Sequence, residues 1–403
     1  MSTKNINIKI KGNNYIHGNV SLSGDTYSAI FLTLFFTVKT EAKANFTLTN
    51  VPRSSLFLEF IQVASKIGIQ VNWISVDTVE ISCDKITNDL SFLKSKEDEN
   101  YVKIFLPAIL GIQGRCKLSL NDRKIVQFYK ELDYRVKIDV KSELIGVERP
   151  LKQVSNSSMD LKNADDIEMI SRLILSAGNE NFKCVLPKSA FAYKYNLYNQ
   201  NISFDQIKGK EHRVISNYSE FLLYSSLAAF SEAEVNFDNF KLDEHLAYLL
   251  RITDMIANYE VTSSKLKIWN DPKKPLLEYD FSTLTDEEIG YLMVILSHVA
   301  KTTVSIVSKK STRLIDLIKD LNIQGFGIEY KESGDYFLIK IKSFDVGNLK
   351  SDFSNDAYWV GVYIFMASII PGNSELNSCQ DYLSTVPELI GKVEQLNIDI
   401  STS

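Results

Sequence analysis

Cysteine is scarce: the chain has four, Cys83, Cys116, Cys184 and Cys379, widely scattered. That excludes a disulfide framework and a zinc site built on paired thiols, and the expectation is buried free thiols in a reducing compartment. Long apolar runs are missing as well. None reaches the ~18 residues of a membrane span, and the longest, Ala29 to Val38, is interrupted by Thr33 and Thr37. The opening MSTKNINIKIKGNN has no apolar core of a secretory signal. No basic run stands out and the formal net charge is −5, which argues against nucleic acid or an anionic membrane as partner. There is no G-x-G-x-x-G, no P-loop, no H-E-x-x-H and no nucleophile elbow. His17, His212, His245 and His298 are remote from one another in sequence, and His298 sits in an apolar segment that reads as core. The expectation is a cytoplasmic protein with no cofactor and no metal.

What the chain does have is a repeated pattern. A short polar head leads into a helix of apolar residues, then a strand, a second and amphipathic helix, and one or two further strands. Gly24 to Ser82 is the clearest copy and Leu284 to Ile341 another, with weaker copies beginning near Glu99, Ala164, Ser216 and Asn355. A period of roughly 50 to 75 residues exceeds that of the usual solenoids, so the copies read as βαβαββ units closed around shared cores. The helical segments AIFLTLFFTV, FLLYSSLAAF, IGYLMVILSHVA and WVGVYIFMASII are apolar nearly all round, as befits helices enclosed on every side. The strands between them alternate, as in Asn45-Phe46-Thr47-Leu48-Thr49 and Glu234-Val235-Asn236-Phe237, so one face is buried and one is wet. Together these predict helices inside and sheets outside. At 403 residues, with 45% hydrophobic and 24% charged residues, two domains are expected.

Four short stretches add to the repeat: TLTNVPRSSLFLEFIQVASKIGIQV, Thr285-Asp286-Glu287 ahead of a helix, Ser311-Thr312-Arg313-Leu314, and Asn355-Asp356-Ala357-Tyr358. With these, nearly the full length resembles the enolpyruvyl (carboxyvinyl) transferases, the family of 5-enolpyruvylshikimate-3-phosphate synthase and of the UDP-N-acetylglucosamine enolpyruvyl transferase. The resemblance implies an α/β (α+β) fold, a two-lobed inside-out α/β barrel of six βαβαββ units. The first lobe would run over residues 14–212, its third unit compressed near 160 to 212. The second would take 1–13 with 213–403.

The resemblance also implies site residues. Asp286 aligns with the family's proton-transfer Asp and Glu287 lies beside it; the same residues equally suit the first turn of a helix. Arg313 is the candidate fork for a ligand carboxylate, or else a surface partner of Asp316 or Asp320. Lys103, Arg123, Lys124, Ser28 and Asp356 fall at further substrate-binding positions, although Arg123 and Lys124 also suit an exposed helix start and Asp356 a helix cap. Several cations of the family are replaced. Thr26 stands where its Gly-x-Lys places a Lys, Ile30 and Tyr358 stand for arginines, and about Ser384 for a C-terminal Lys. Asp166-Ile167-Glu168 stand where the shikimate branch has Ser-Ser-Gln for a phosphate. A charge-assisted hydrogen bond contributes about 1.5 to 3 kcal/mol, so these exchanges weigh against the standard shikimate reaction. Two functions stay open: a divergent carboxyvinyl transferase acting on phosphoenolpyruvate and an altered acceptor, or a non-catalytic relative using the scaffold for binding or assembly. An anionic small-molecule substrate and a monomeric state are expected.

Overall fold

The computed structural model describes residues 5–403 apart from 13–14, 44, 96–97, 151–156, 162–164, 180–181, 186–203, 231–233, 239, 241–249, 251–252, 255–256, 263–264, 271–283, 300–303, 343–346 and 355. The chain forms a mixed α/β fold that divides into two compact units. One takes Gly24–Pro187 and Tyr195–Ile215, the other Met1–Ser23 and Ser216–Ser403. Among the described residues no helix is long and apolar enough to cross a membrane.

In the unit that starts at Gly24, helices α1 (Thr26–Lys39), α3 (Glu99–Gln113) and α5 (Asp166–Ala177) pack on one another, while α2 (Ser55–Ile67) and α4 (Arg123–Glu131) lie at its sheets. α1 is enclosed nearly all round. Its threonines tolerate this because their hydroxyls turn back onto the helix: Thr33 donates to Ala29 O at 2.8 Å and Thr37 to Thr33 O at 2.6 Å. α2 shows the opposite texture, one apolar stripe started by Ser54 as N-cap and stopped by Gly68 at φ +102°. At their C-terminal ends α3 and α5 approach so closely that a Cβ on Gly178 would sit 2.6 Å from the Gly111 Cα. The Arg149 guanidinium donates to both exposed carbonyls there, to Gly111 O and, at 2.8 Å, to Gly178 O. A cation thus answers two helix C-termini at once.

The described strands of this unit make three sheets. β3 (Asn45–Thr49), β4 (Ile69–Trp73), β5 (Val79–Cys83) and β11 (Glu211–Arg213) run in the order β11-β3-β5-β4. β6 (Arg115–Ser119), β7 (Arg135–Asp139) and β8 (Leu144–Glu148) run β6-β8-β7, and β9 (Ser157–Asp160) pairs with β10 (Phe182–Val185). In the segment where compression was expected, the short helix α6 (Phe204–Ile207) precedes β11; residues 186–203 lie outside the described residues.

The other unit repeats the plan. Helices α7 (Tyr218–Ala229), α8 (Asp286–Val299) and α10 (Val360–Ile369) pack pairwise, α9 (Thr312–Ile323) lies on α8, and α11 (Gln380–Thr385) and α12 (Leu389–Gln395) follow. Every residue of α10 is buried and almost every residue of α7. Its sheets are β18-β19-β1-β20, from β18 (Lys350–Asp352), β19 (Gly372–Asn377), β1 (Ile8–Gly12) and β20 (Asp399–Thr402); β13-β14-β12-β2, from β13 (Asn258–Val261), β14 (Lys265–Trp269), β12 (Glu234–Asp238) and β2 (His17–Ser21); and β15-β17-β16, from β15 (Val304–Lys309), β17 (Tyr336–Ile341) and β16 (Ile328–Ser333). The strands alternate between core and solvent, as β12 and β15 do. The texture of the sequence is realised within each unit, with apolar helices enclosed and half-wet strands around them.

The chain leaves this unit between Ser23 and Gly24, later than the expected crossing near residue 13. The physical reason is β2, which pairs in parallel with β12, Val20 opposite Phe237, and so is held by this unit's ladder. On the return, β11 still pairs with β3, and the change falls between Ile215 and Ser216 rather than at 212.

Candidate functional site

The N-terminal ends of α7, α8 and α9 and the approach to α10 bring chemistry-bearing side chains together in the second unit. α8 begins with a reciprocal cap. Glu288 N donates to Thr285 Oγ1 at 3.3 Å and Thr285 N donates to Glu288 Oε2 at 2.5 Å, the arrangement that Thr-x-x-Glu favours. Thr285 and Glu288 therefore satisfy the helix start, and Asp286 is left for other contacts. Its Oδ2 accepts from the Ser311 hydroxyl, and Ser311 is in turn the N-cap of α9. Glu287 Oε2 accepts from the Ser219 hydroxyl of α7 at 3.2 Å.

Arg313, in the first turn of α9, has its Nε 3.7 Å from Asp356 Oδ2, and its guanidinium lies 4.6 Å from the centre of the Tyr358 ring. The alternative partners Asp316 and Asp320 are engaged elsewhere, Asp316 with Lys319 and Asp320 with the Tyr363 hydroxyl. Asp356 does not cap α10. Its Oδ1 instead accepts from Tyr358 N at 2.9 Å, closing a local turn ahead of the helix.

The electrostatics follow from burial and neighbours. Burial raises the Asp286 carboxyl above the usual range, while the Ser311 hydrogen bond and the Arg313 charge oppose that rise. Burial pushes Glu288 up to about 8, so it is protonated through much of the neutral range. Tyr358 is held well above the ordinary phenol range by burial and by the adjacent Glu287 and Asp286. A half-buried acid that resists ionisation beside a guanidinium can carry a proton and face an anion.

The remaining candidates lie in the other unit. Lys103 pairs with Glu99 one turn away at 2.8 Å. Lys124 is exposed at the start of α4, where Arg123 also lies. Beside them Asp122 is pushed up to about 6 by burial, with Glu99 and Asp98 adding repulsion. Ser28 is fully buried in α1, and among the described residues its hydroxyl has no hydrogen-bond partner. Thr26, also buried, donates to Ser54 Oγ at 2.8 Å. Asp166 opens α5, and Glu168 there forms an ion pair with Arg172. The side chains of His298 and Arg123 are not among those described.

Sequence reasoning gave Ser219 and Ser311 no part here. Ser311 carried a signal, a hydroxyl residue just before a helix; Ser219 carried none. Nor did sequence reveal that Tyr358 underlies Arg313, since stacking between residues 45 positions apart leaves no local pattern.

No family model and no curated protein matches the sequence. Solved structures do. The enolpyruvyl transferase NikO from Streptomyces tendae superposes with a TM-score of 0.71 at 12% identity, over 99% of each chain. EPSP synthase from Acinetobacter baumannii does so in two structures, with TM-scores of 0.66 and 0.67, each at 12% identity. Those matches cover 99% and 98% of this chain and 100% of that one. At such identity the likeness speaks for the backbone alone, and on that evidence the chain has the fold of the enolpyruvyl transferases.

Proposed function

We propose that the protein is a divergent carboxyvinyl transferase that takes phosphoenolpyruvate as donor and an acceptor other than shikimate 3-phosphate. The observation that carries this reading is the division of labour at the start of α8: Thr285 and Glu288 cap the helix, and Asp286 is directed to Ser311 beside Arg313. Carboxyvinyl transfer adds an acceptor hydroxyl across the C=C bond of the enol phosphate: the oxygen bonds to C2 and gives up its proton, and C3 gains one to become a methyl group. The C2–O bond to phosphate then breaks as a proton is taken from that methyl group, leaving the enol ether. A group of raised pKa suits both steps, and Asp286 is assigned to it, with Glu287 beside it. Arg313 is assigned to the donor carboxylate.

The choice of acceptor rests on the replaced cations. Thr26 is turned inward to Ser54 and Ser28 is buried, so the start of α1 offers an anion no side chain of the expected kind. By the resemblance, Asp166 and Glu168 put carboxylates where a phosphate would be bound, and Glu168 there pairs with Arg172. A non-phosphorylated hydroxyl compound meets neither obstacle.

The test is phosphate release from phosphoenolpyruvate over a panel of phosphorylated and unphosphorylated hydroxyl acceptors, with Asp286→Asn as control. Release with an unphosphorylated acceptor, lost in the variant, is expected. No release with any acceptor would favour the non-catalytic scaffold, a reading that the prior engagement of Arg313 by Asp356 already supports in part; equal release by the variant would remove Asp286 from the proton-transfer role.

A further inference from the structure

Tyr358 stands where the resembled family has a cation, and its surroundings are built rather than incidental. Its ring lies under the Arg313 guanidinium at 4.6 Å. Its backbone is fixed by Asp356, its ring packs edge-on against Trp359 at 4.8 Å and 88°, and its hydroxyl end lies against the Glu287 backbone. Trp359 is itself wedged: a Cβ on Gly290 of α8 would come within 2.8 Å of Trp359 Cζ3. The absence of a side chain at Gly290 admits Trp359, Trp359 backs Tyr358, and Tyr358 carries Arg313.

The guanidinium is thereby held on two sides, by the ring beneath it and by Asp356 at Nε. Among the described residues its terminal nitrogens have no protein partner. Two parallel N–H groups on a fixed, planar edge match a carboxylate. The platform supplies orientation but no charge, and the surrounding acids, Asp286, Glu287 and Asp356, disfavour a second negative charge on the ligand at this point.

We infer that Tyr358 is a positioning residue that replaces a second cation by a neutral platform, and that with Arg313 it makes a subsite for a single planar carboxylate in preference to phosphate. This rests on the reading of Arg313 as the anion anchor of the proposed site. The role is specific to this chain's Arg313–Tyr358–Trp359–Gly290 stack, and each part of it is open to substitution.

The experiment is calorimetry on the intact protein with two probes, pyruvate and inorganic phosphate. The wild type is expected to bind pyruvate at least about tenfold more tightly than phosphate. Tyr358→Phe keeps the platform and should stay within about twofold of wild type for pyruvate. Tyr358→Leu removes it and should lose about tenfold, the scale of a partly desolvated cation–π contact. Tyr358→Arg should gain phosphate binding and narrow the preference. Phosphate bound by the wild type as tightly as pyruvate, binding of neither, or a Leu variant that keeps full pyruvate affinity would each overturn the inference. If the Leu variant does not fold, Arg313→Lys, which keeps the charge and loses the stacked plane, must lose pyruvate binding to the same degree, and full retention overturns the inference. Phosphate release from phosphoenolpyruvate tests the transferase reading separately. A protein that shows the carboxylate preference but releases no phosphate keeps this inference and loses that reading.

Discussion

Lys392 Nζ lies 2.7 Å from Glu220 Oε1, with the glutamate fully buried and the lysine side chain nearly so. Ser23 completes the arrangement: its hydroxyl is 2.6 Å from Lys392 Nζ, and its backbone N–H donates to Glu220 Oε2 at 2.7 Å. α7, α12 and the last residue before the chain leaves this unit are joined by one ion pair. Removing one partner leaves a buried charge unpaired, which costs about 3 to 5 kcal/mol. Lys392→Met should lower unfolding stability by that amount in urea, and Lys392→Met with Glu220→Leu should recover most of it. A single variant as stable as wild type would show that the pair is solvated.

Glu288 gives the stability of this unit a pH dependence. Its folded value is raised to about 8 from 4.5, so its contribution is complete below the unfolded value and is lost as pH climbs through the folded one. Unfolding free energy should therefore fall between about pH 4.5 and about 8, by at most about 1.4 kcal/mol per pH unit. Glu288→Gln keeps the reciprocal cap and should flatten the curve in that window. An unchanged slope in the variant would assign the effect to another group.

Ser311 lowers the Asp286 carboxyl by donating to it. Ser311→Ala removes that hydrogen bond, so Asp286 should stay protonated to higher pH. In a pH–rate profile for phosphate release the Asp286 limb should move upward, alongside the drop in thermal stability, on the order of 1 kcal/mol, that comes with losing the N-cap of α9. A limb that does not move would mean that Asp286 is not the group being titrated.

Asp356 competes for Arg313 across 3.7 Å at a partly exposed position. Pairs of this kind contribute about 0.2 to 1 kcal/mol. Asp356→Asn keeps an oxygen for Tyr358 N and removes the charge, so pyruvate affinity should rise by up to about fivefold. Weaker binding in calorimetry would mean that Asp356 orients Arg313 more than it opposes the ligand.

Arg149 should matter to the other unit out of proportion to its place at the end of a surface strand. Arg149→Met strips the carbonyls of Gly111 and Gly178 of their shared donor. The expected loss is roughly 1.5 to 3 kcal/mol, since the donor is charged. Denaturant unfolding measures it, and a loss below about 0.5 kcal/mol would show that water replaces the guanidinium.

Much of the architecture was legible because it follows from short-range periodicity. An all-round apolar helix such as α10 has to be enclosed, and an alternating strand such as β12 has to face core and water in turn. The start of α8 was legible as a helix start, but which of Thr285, Asp286 and Glu288 would do the capping was not. Several residues there could cap, and hydrogen-bond geometry selected Thr285 with Glu288. The crossing point was misplaced because the partner of β2 lies more than two hundred residues away, and nothing in His17–Ser21 announces it.

The sequence by itself determined the repeat and the alternation of enclosed helices with half-wet strands, because residue identity and spacing carry that information directly. Only the tertiary structure decided that Tyr358 would underlie Arg313, that Ser311 would engage Asp286, and that Glu220 would meet Lys392. Each of those pairs joins segments whose separation along the chain is long and whose separation in space is set by packing. Side-chain chemistry says what a residue can bind, and the packed helices decide which partner comes within reach.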